Sequence, residues 1–383
     1  MKVYLDNAST TFPKPKVVSD SIYNYLVNVG GNANRSNHSN ALESNRELFL
    51  ARERIAKFFN YDKFENVVFT NNITMSLNIL IKGTLKRGDH VITSSLEHNS
   101  VVRPIISCKE NLGVEVDFVN ASKDGFINPN DIEKLIKKNT KLVVVTHASN
   151  VIGTIQPIKE IGAICKKHNI FFIIDTAQSA GTVPIDFYDV GANALAFTGH
   201  KSLLGPQGIG GFIIDDKLNE ICAPLLEGGT GSLSHDIHQP NFMPDKFECG
   251  TLNIPGIVGL SNGIEFINNI GLENIKNKNS KLYKRLIKAI NSIDRYTVYG
   301  DISGNNSTTS ISFNLDGVET SELSFYLESN GISNRSGLHC APMCHKTIGT
   351  FPEGTVRLSI SYFNTDEEID YAISILKKAH EEL

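Results

Sequence analysis

The polar and apolar positions of this chain change period several times, and each change marks an element. Leu48, Ala51, Ile55 and Phe58 recur at helical spacing, which predicts an amphipathic helix over residues 42–59. Short apolar runs then alternate with helical stretches. Strands are expected at 67–70, 90–93 and 142–146, and helices at 74–82 and 158–168, the latter with Ile158, Ile161, Ile164 and Cys165 along one side. Ile170 to Ile174 is an unbroken apolar run that stops on Asp175, and Ala194 to Phe197 is another that stops on Thr198-Gly199-His200-Lys201. A further strand is expected at 211–214. Fully apolar runs separated by helices predict an α/β fold, a largely parallel mixed sheet flanked by helices.

After residue 255 the pattern shifts. Helical stretches at 256–269 and 280–293 lead to a Gly/Asn/Ser-rich turn at 300–307, then strands at 310–314 and 355–361 with a helix at 320–330 between them. The last helix opens on a capping box, Thr365 and Glu368, and shows Ile369, Ala372, Ile373 and Leu376 on one face. A large domain over 16–255 and a smaller α+β C-terminal domain over 256–383 are expected. Residues 1–15, with Val3-Tyr4-Leu5 and the prolines Pro13 and Pro15, read as an N-terminal arm packing with the small domain.

Composition narrows the partners. A formal charge of −4 over 383 residues, without a basic run, gives no support to nucleic-acid binding. No apolar run approaches a membrane span, and Met1 to Asp6 lacks a signal peptide's apolar segment. Six scattered cysteines fit a reducing compartment better than a disulfide framework, so the cytoplasm is expected.

Two stretches carry chemistry. Open α/β sheets build ligand sites at the carboxyl ends of their strands, where Asp175 and Lys201 fall. Singly, each is ordinary: an Asp after a strand is often a helix cap, and a Lys in a turn is usually solvated. Together they suggest pyridoxal 5′-phosphate (PLP), the lysine forming a Schiff base and the acid keeping the pyridine nitrogen protonated. Thr198 and His200 can donate to a phosphate, and the glycine-rich turn Gly205–Gly211 keeps side chains clear of the lysine. The start of the helix at Thr74 can receive an anion on free backbone N–H groups. The second stretch is Asn334–Pro342. There Cys340 lies near Arg335 and His339, and positive charge favours a nucleophilic thiolate, although a buried structural cysteine is the ordinary alternative. His339, Cys340, Cys344 and His345 could also ligate a metal, but their spacing matches no standard zinc module, and no metal is expected.

The motifs YLDNAST, SLEHNS, THASNVIGT, IIDTAQSAG, FTGHKSLLGPQGIG, FECGTLNIPG, RSGLHCAP and VRLSISYFNT span nearly the whole chain. In this order they resemble the class V aminotransferases of PLP fold type I, and most of all the Suf-type cysteine desulfurases, a group that includes selenocysteine lyase-like enzymes. The resemblance implies that Lys201 holds PLP covalently, that Asp175 pairs with the pyridinium nitrogen, and that Gln178 contacts the ring hydroxyl. His98 would stack on the ring and help move protons. Thr74, Thr198 and His200 would hold the phosphate, with Thr251 reaching the site of the neighbouring subunit in a homodimer. Asn150 and Arg357 would bind the substrate carboxylate, with Ala8, Arg35 and Arg335 also lining the substrate site. Cys340 would take sulfur from L-cysteine, or selenium from L-selenocysteine, and pass it to an acceptor protein or thiol. The family's glycine-threonine phosphate turn is replaced here by Thr70-Asn71-Asn72-Ile73-Thr74, and Cys344 adds a second thiol in a segment, Cys344 to Pro352, expected to run straight into the final strand.

Overall fold

The computed structural model describes residues 1–33 and 38–383 and arranges their strands in three sheets. In chain order these are β1 (Val3–Tyr4), β2 (Val67–Thr70), β3 (His90–Ser94), β4 (Glu115–Val119), β5 (Thr140–Thr146), β6 (Phe171–Asp175), β7 (Ala194–Thr198), β8 (Gly210–Ile214), β9 (Tyr296–Tyr299), β10 (Ser310–Leu315), β11 (Ile332–Ser333), β12 (Arg335–Gly337) and β13 (Thr355–Ser359). The large sheet runs β2-β8-β7-β6-β5-β3-β4, with β8 antiparallel to both neighbours and the other pairs parallel. Thus β2, β3, β5, β6 and β7 all end on one edge, delivering Thr70, Ser94, Thr146, Asp175 and Thr198 there.

Side chains alternate across a strand, and the fully apolar runs feed two cores. Val143, Val145, Phe172, Ile174 and Phe197 face one, with Leu48, Ile55, Ile161 and Ile264 from the helices Ser39–Phe58, Ile158–Lys167 and Ile254–Ile270. Leu142, Val144, Ile173 and Ala196 face the other, with Leu77, Leu80, Val101 and Ile105 from the helices Ile73–Thr84 and Asn99–Leu112. A third core lies against the antiparallel sheet β12-β13-β10-β9, where Phe313 and Leu358 meet Leu286, Leu323 and Leu376. The capping box at Thr365 and Glu368 opens the last helix, Asp366–Glu382.

The helix beginning at Ile254 packs in the first core, and the next helix, Leu272–Asn291, joins the first core through Ile275 and the third through Leu282. The arm pairs β1 with β11 in parallel, then hydrogen-bonds through Thr11 N–H to the His200 carbonyl. It links the small sheet to the end of β7. Residues 344–352 differ from expectation: they do not run straight into β13 but begin within a short helix, Pro342–Ile348, opened by proline at its first turn. β4 carries no continuous apolar run because it is an edge strand with Glu115 exposed and only Val119 fully buried. No helix among the described residues is long and apolar enough to cross a membrane.

The other edge strand, β2, is covered. Arg52 and Glu248 form a buried bidentate pair, at 2.5 and 3.0 Å, and Glu248 Oε1 also accepts the Phe69 N–H at 2.7 Å while Arg52 donates to the Val67 carbonyl. The pair thereby satisfies the free edge of β2 and anchors the segment that carries Thr251. Glu248→Ala would leave a buried guanidinium uncompensated, and denaturant unfolding is expected to show a loss of about 3–5 kcal/mol. A loss below about 1 kcal/mol, the worth of an exposed pair, would contradict that role.

Candidate active site

The shared strand edge collects most of the sequence-predicted residues. Asp175 ends β6, buried, with Oδ1 accepting the Ala177 N–H at 2.8 Å. Burial pushes its carboxyl up, while that N–H and the charge of Lys201 oppose the rise. Lys201 sits in the turn after β7, and among the described residues no group hydrogen-bonds its ammonium. Burial lowers it to about 8, Asp175 pulling the other way. Thr198 Oγ1 and His200 Nδ1 are buried beside it with no partner among the described residues. Buried polar atoms are rarely left unpaired, so this pair of orphans marks a place for a polar group. Burial, reinforced by Lys201 and Lys14, holds His200 near 4, neutral at physiological pH.

β8 returns between β2 and β7, bringing Gly210 opposite both Thr70 and Thr198. A Cβ on Gly210 would lie 2.8 Å from the Phe197 carbonyl oxygen and 2.9 Å from the backbone of Asn72. Glycine is therefore required for the turn before the helix Ile73–Thr84 to close against β7. Asn72 caps that helix by accepting the Met75 N–H, and Thr74 stands exposed in its first turn.

His98 caps the next helix, its Nδ1 accepting the Ser100 N–H at 3.0 Å. The neutral ring therefore carries its proton on Nε2. Burial, with the charges of Lys201 and Arg335, holds it near 4. Gln178 donates to the Ala8 carbonyl at 3.1 Å, and Ala8 N–H donates to Ser359 Oγ at 2.8 Å, so Ala8 takes part through its backbone.

The small sheet supplies the opposite wall. Arg335 and Arg357 are direct partners across β12 and β13. Two like charges so placed repel unless anions lie between them. Asp6 supplies one: its Oδ1 accepts from Arg357 at 2.9 Å and from Ser9 Oγ at 2.8 Å, and Ser9 Oγ also meets both arginines. Arg357, 1% exposed, donates further to the Asn150 carbonyl at 2.8 Å, and its Nε has no partner among the described residues.

His339 and Cys340 follow β12 with φ of +47° and +58°, a backbone region that side chains seldom occupy. Asn150 Nδ2 holds the His339 carbonyl at 2.7 Å, and the Asn99 N–H holds the Cys340 carbonyl at 2.8 Å. This fixes an exposed thiol beside the His98 helix, with Arg335 Nη2 3.7 Å from Sγ. His339 departs from expectation. It is buried with Nε2 on Thr355, and burial together with Arg357 holds it well below its ordinary value, so it brings no charge to the sulfur. Cys344 is also buried, its thiol pushed up to about 12, with Ser149 Oγ 3.8 Å away. Among the described residues no three His, Cys, Asp or Glu side chains converge as a metal site.

Arg35 lies outside the described residues; His38, where they resume, caps the helix Ser39–Phe58. Thr251 is exposed, in the segment before the helix Ile254–Ile270. Sequence reasoning gave no role to Asp6, Ser9 or Glu97. Glu97 is wholly buried and accepts from Ser94 Oγ at 2.5 Å and Thr146 N–H at 3.0 Å, with burial pushing it up to about 8. The signal available was a carboxylate one residue before His98 in an otherwise uncharged stretch.

The profile of the Aminotransferase class-V family matches residues 3–372. The chain belongs to that family. A relative from Methanothermobacter thermautotrophicus, named a probable cysteine desulfurase, is 38% identical over 96% of this chain and 92% of its own length. The cysteine desulfurase IscS of Clostridium botulinum is 32% identical over 98% of this chain and 94% of its own. Among solved structures, the apo cysteine desulfurase of Thermococcus onnurineus superposes with a TM-score of 0.94 at 33% identity, covering all of this chain and 95% of the other. The architecture is that of PLP fold type I.

Proposed function

We propose that this chain is a PLP-dependent cysteine desulfurase, which converts L-cysteine to L-alanine and leaves a persulfide on Cys340. One observation carries the reading. An exposed, hydrogen-bond-clamped Cys340 stands at the same strand edge as Lys201, Asp175 and the orphaned Thr198 and His200. A transaminase has no use for such a thiol.

The residues present fit PLP. Thr198, His200 and the first turn of the helix Ile73–Thr84 would hold its phosphate, Asp175 its pyridine nitrogen, and Gln178 its ring hydroxyl. When bound, the cofactor supplies a ring that takes up the electrons freed as the substrate Cα–H bond breaks. The side chains do the rest. Lys201 would take the Cα proton as a neutral base, for which a lowered basicity suits it. Neutral His98 carries its exchangeable proton on Nε2. Arg357 and Asn150 hold the substrate carboxylate, Arg357 already set in place by Asp6. Cys340 thiolate then attacks the substrate sulfur: an S–S bond forms, the Cβ–S bond breaks, and its electron pair stays on carbon, which is protonated to alanine's methyl group. The direct test is to incubate yellow, cofactor-loaded protein with L-cysteine and measure alanine and sulfide with and without a thiol reductant. Absence of alanine would overturn the reading.

The amine of Lys201 gives a pH prediction. Only a neutral amine attacks an aldehyde, so cofactor capture by the apo chain is expected to accelerate as pH rises and to level off above about 8. An ordinary lysine would still be gaining rate near pH ~10. The growth of the visible band of the lysine-linked cofactor against pH checks this.

The active unit is a homodimer with shared sites. Leu225, Leu226, Ile237 and Phe242 are exposed in the segment leading to Thr251 and supply apolar surface for an isologous interface. Mixing Lys201→Ala with Thr251→Ala chains should regenerate activity in hybrids, each holding one intact site. An active species that sediments as a monomer would contradict it.

A further inference from the structure

A groove of about 450 Å³ opens from Cys340 between the helices Ile73–Thr84 and Asn99–Leu112. One wall carries Asn78 and Lys82, one turn apart; the other carries Ser100, Arg103 and Ser107. No acidic side chain lines it, and neither Lys82 nor Arg103 takes part in an ion pair among the described residues. Arg103 stands in the second turn of its helix, where the dipole offers a cation nothing. Two unpaired cations and three short hydrogen-bonding side chains thus form a polar channel that ends at a reactive sulfur. The volume suits a small molecule of peptide size and is too small for a folded domain.

We infer that this groove binds the acceptor of the Cys340 sulfur as a small thiol bearing carboxylates, held by Lys82 and Arg103. The inference rests on the desulfurase reading and names the acceptor class for that site. The acceptor thiolate attacks the terminal sulfur of the Cys340 persulfide. The existing S–S bond breaks, a new one forms on the acceptor, and the electron pair leaves with Cys340 as thiolate. One disulfide-type bond replaces another, so no oxidant or reductant enters. Carboxylates on the acceptor meet the two cations, and every charged group lining the groove is of the attracting sign.

The test uses holoenzyme loaded with one equivalent of L-cysteine. Alanine and protein mass are read before any thiol is added. Glutathione, or its diester, which lacks both carboxylates and keeps the amino group, is then supplied, and its persulfide is followed by mass spectrometry. The parent is expected to deliver sulfur to glutathione about tenfold faster than to the diester at low salt, the sum of two partly screened ion pairs. The advantage should shrink in high salt. In Lys82→Gln/Arg103→Gln the ratio should fall close to that of the two thiols reacting with a small-molecule persulfide, which removes their intrinsic reactivity from the comparison. Equal rates for acid and ester in the parent, an unchanged ratio in the double variant, or transfer to neither thiol would each overturn the inference while leaving the desulfurase reading intact. Failure to form alanine before thiol addition would overturn that reading, and the acceptor assignment with it.

Discussion

Cys340→Ser is expected to lower L-cysteine desulfuration by at least about a thousandfold while leaving cofactor binding unchanged. A hydroxyl of similar size stays protonated where a thiol can ionise, so the attack on the substrate sulfur is lost. The residues assigned to the cofactor and to the substrate carboxylate lie on other elements: Lys201 follows β7, Asp175 ends β6 and Arg357 sits on β13. They should still hold their ligands. L-selenocysteine separates the roles further. Selenium leaves carbon more readily than sulfur, so the serine variant should retain selenocysteine cleavage. A serine variant that desulfurates cysteine at the parent rate would make Cys340 structural and end the account. The buried Cys344 cannot substitute, since its thiol is pushed up to about 12 and lies against Ser149.

Lys201→Ala is expected to abolish turnover and remove the visible band of the lysine-linked cofactor. The phosphate contacts proposed for Thr198, His200 and the helix Ile73–Thr84 would not depend on the lysine, so PLP should still be retained through them, more weakly. Equilibrium dialysis with PLP against the absorbance spectrum distinguishes the two effects. Full alanine production by this variant would refute the assignment. Loss of the protein's fold would be visible separately in its far-ultraviolet circular dichroism.

What was legible in the sequence follows from how each residue is placed. Asp175 and Thr198 each terminate an apolar run, and such runs can be read without knowing what packs on them. Lys201 and His200 follow directly. Asp6 and Ser9 are hidden because their role depends on two arginines more than three hundred residues away, brought together only by the β12–β13 pairing. Glu97 is hidden for a related reason: its burial comes from β5, whose Thr146 N–H meets it at the strand end. His339 reads as a charge in sequence, yet it is neutral once enclosed against Thr355. β4 escapes because an edge strand with one exposed flank needs no apolar run. Local pattern reports the strands and their ends, whereas pairing between distant charges appears only once the small sheet closes over the large one.

The most direct measurement is the mass of the protein after one equivalent of L-cysteine has been consumed without reductant. One alanine is expected to be released per active site, with the added mass of a single sulfur atom on the peptide containing Cys340, lost again on treatment with thiol. Alanine released with no sulfur on Cys340, or with the sulfur located on Cys344, would contradict it.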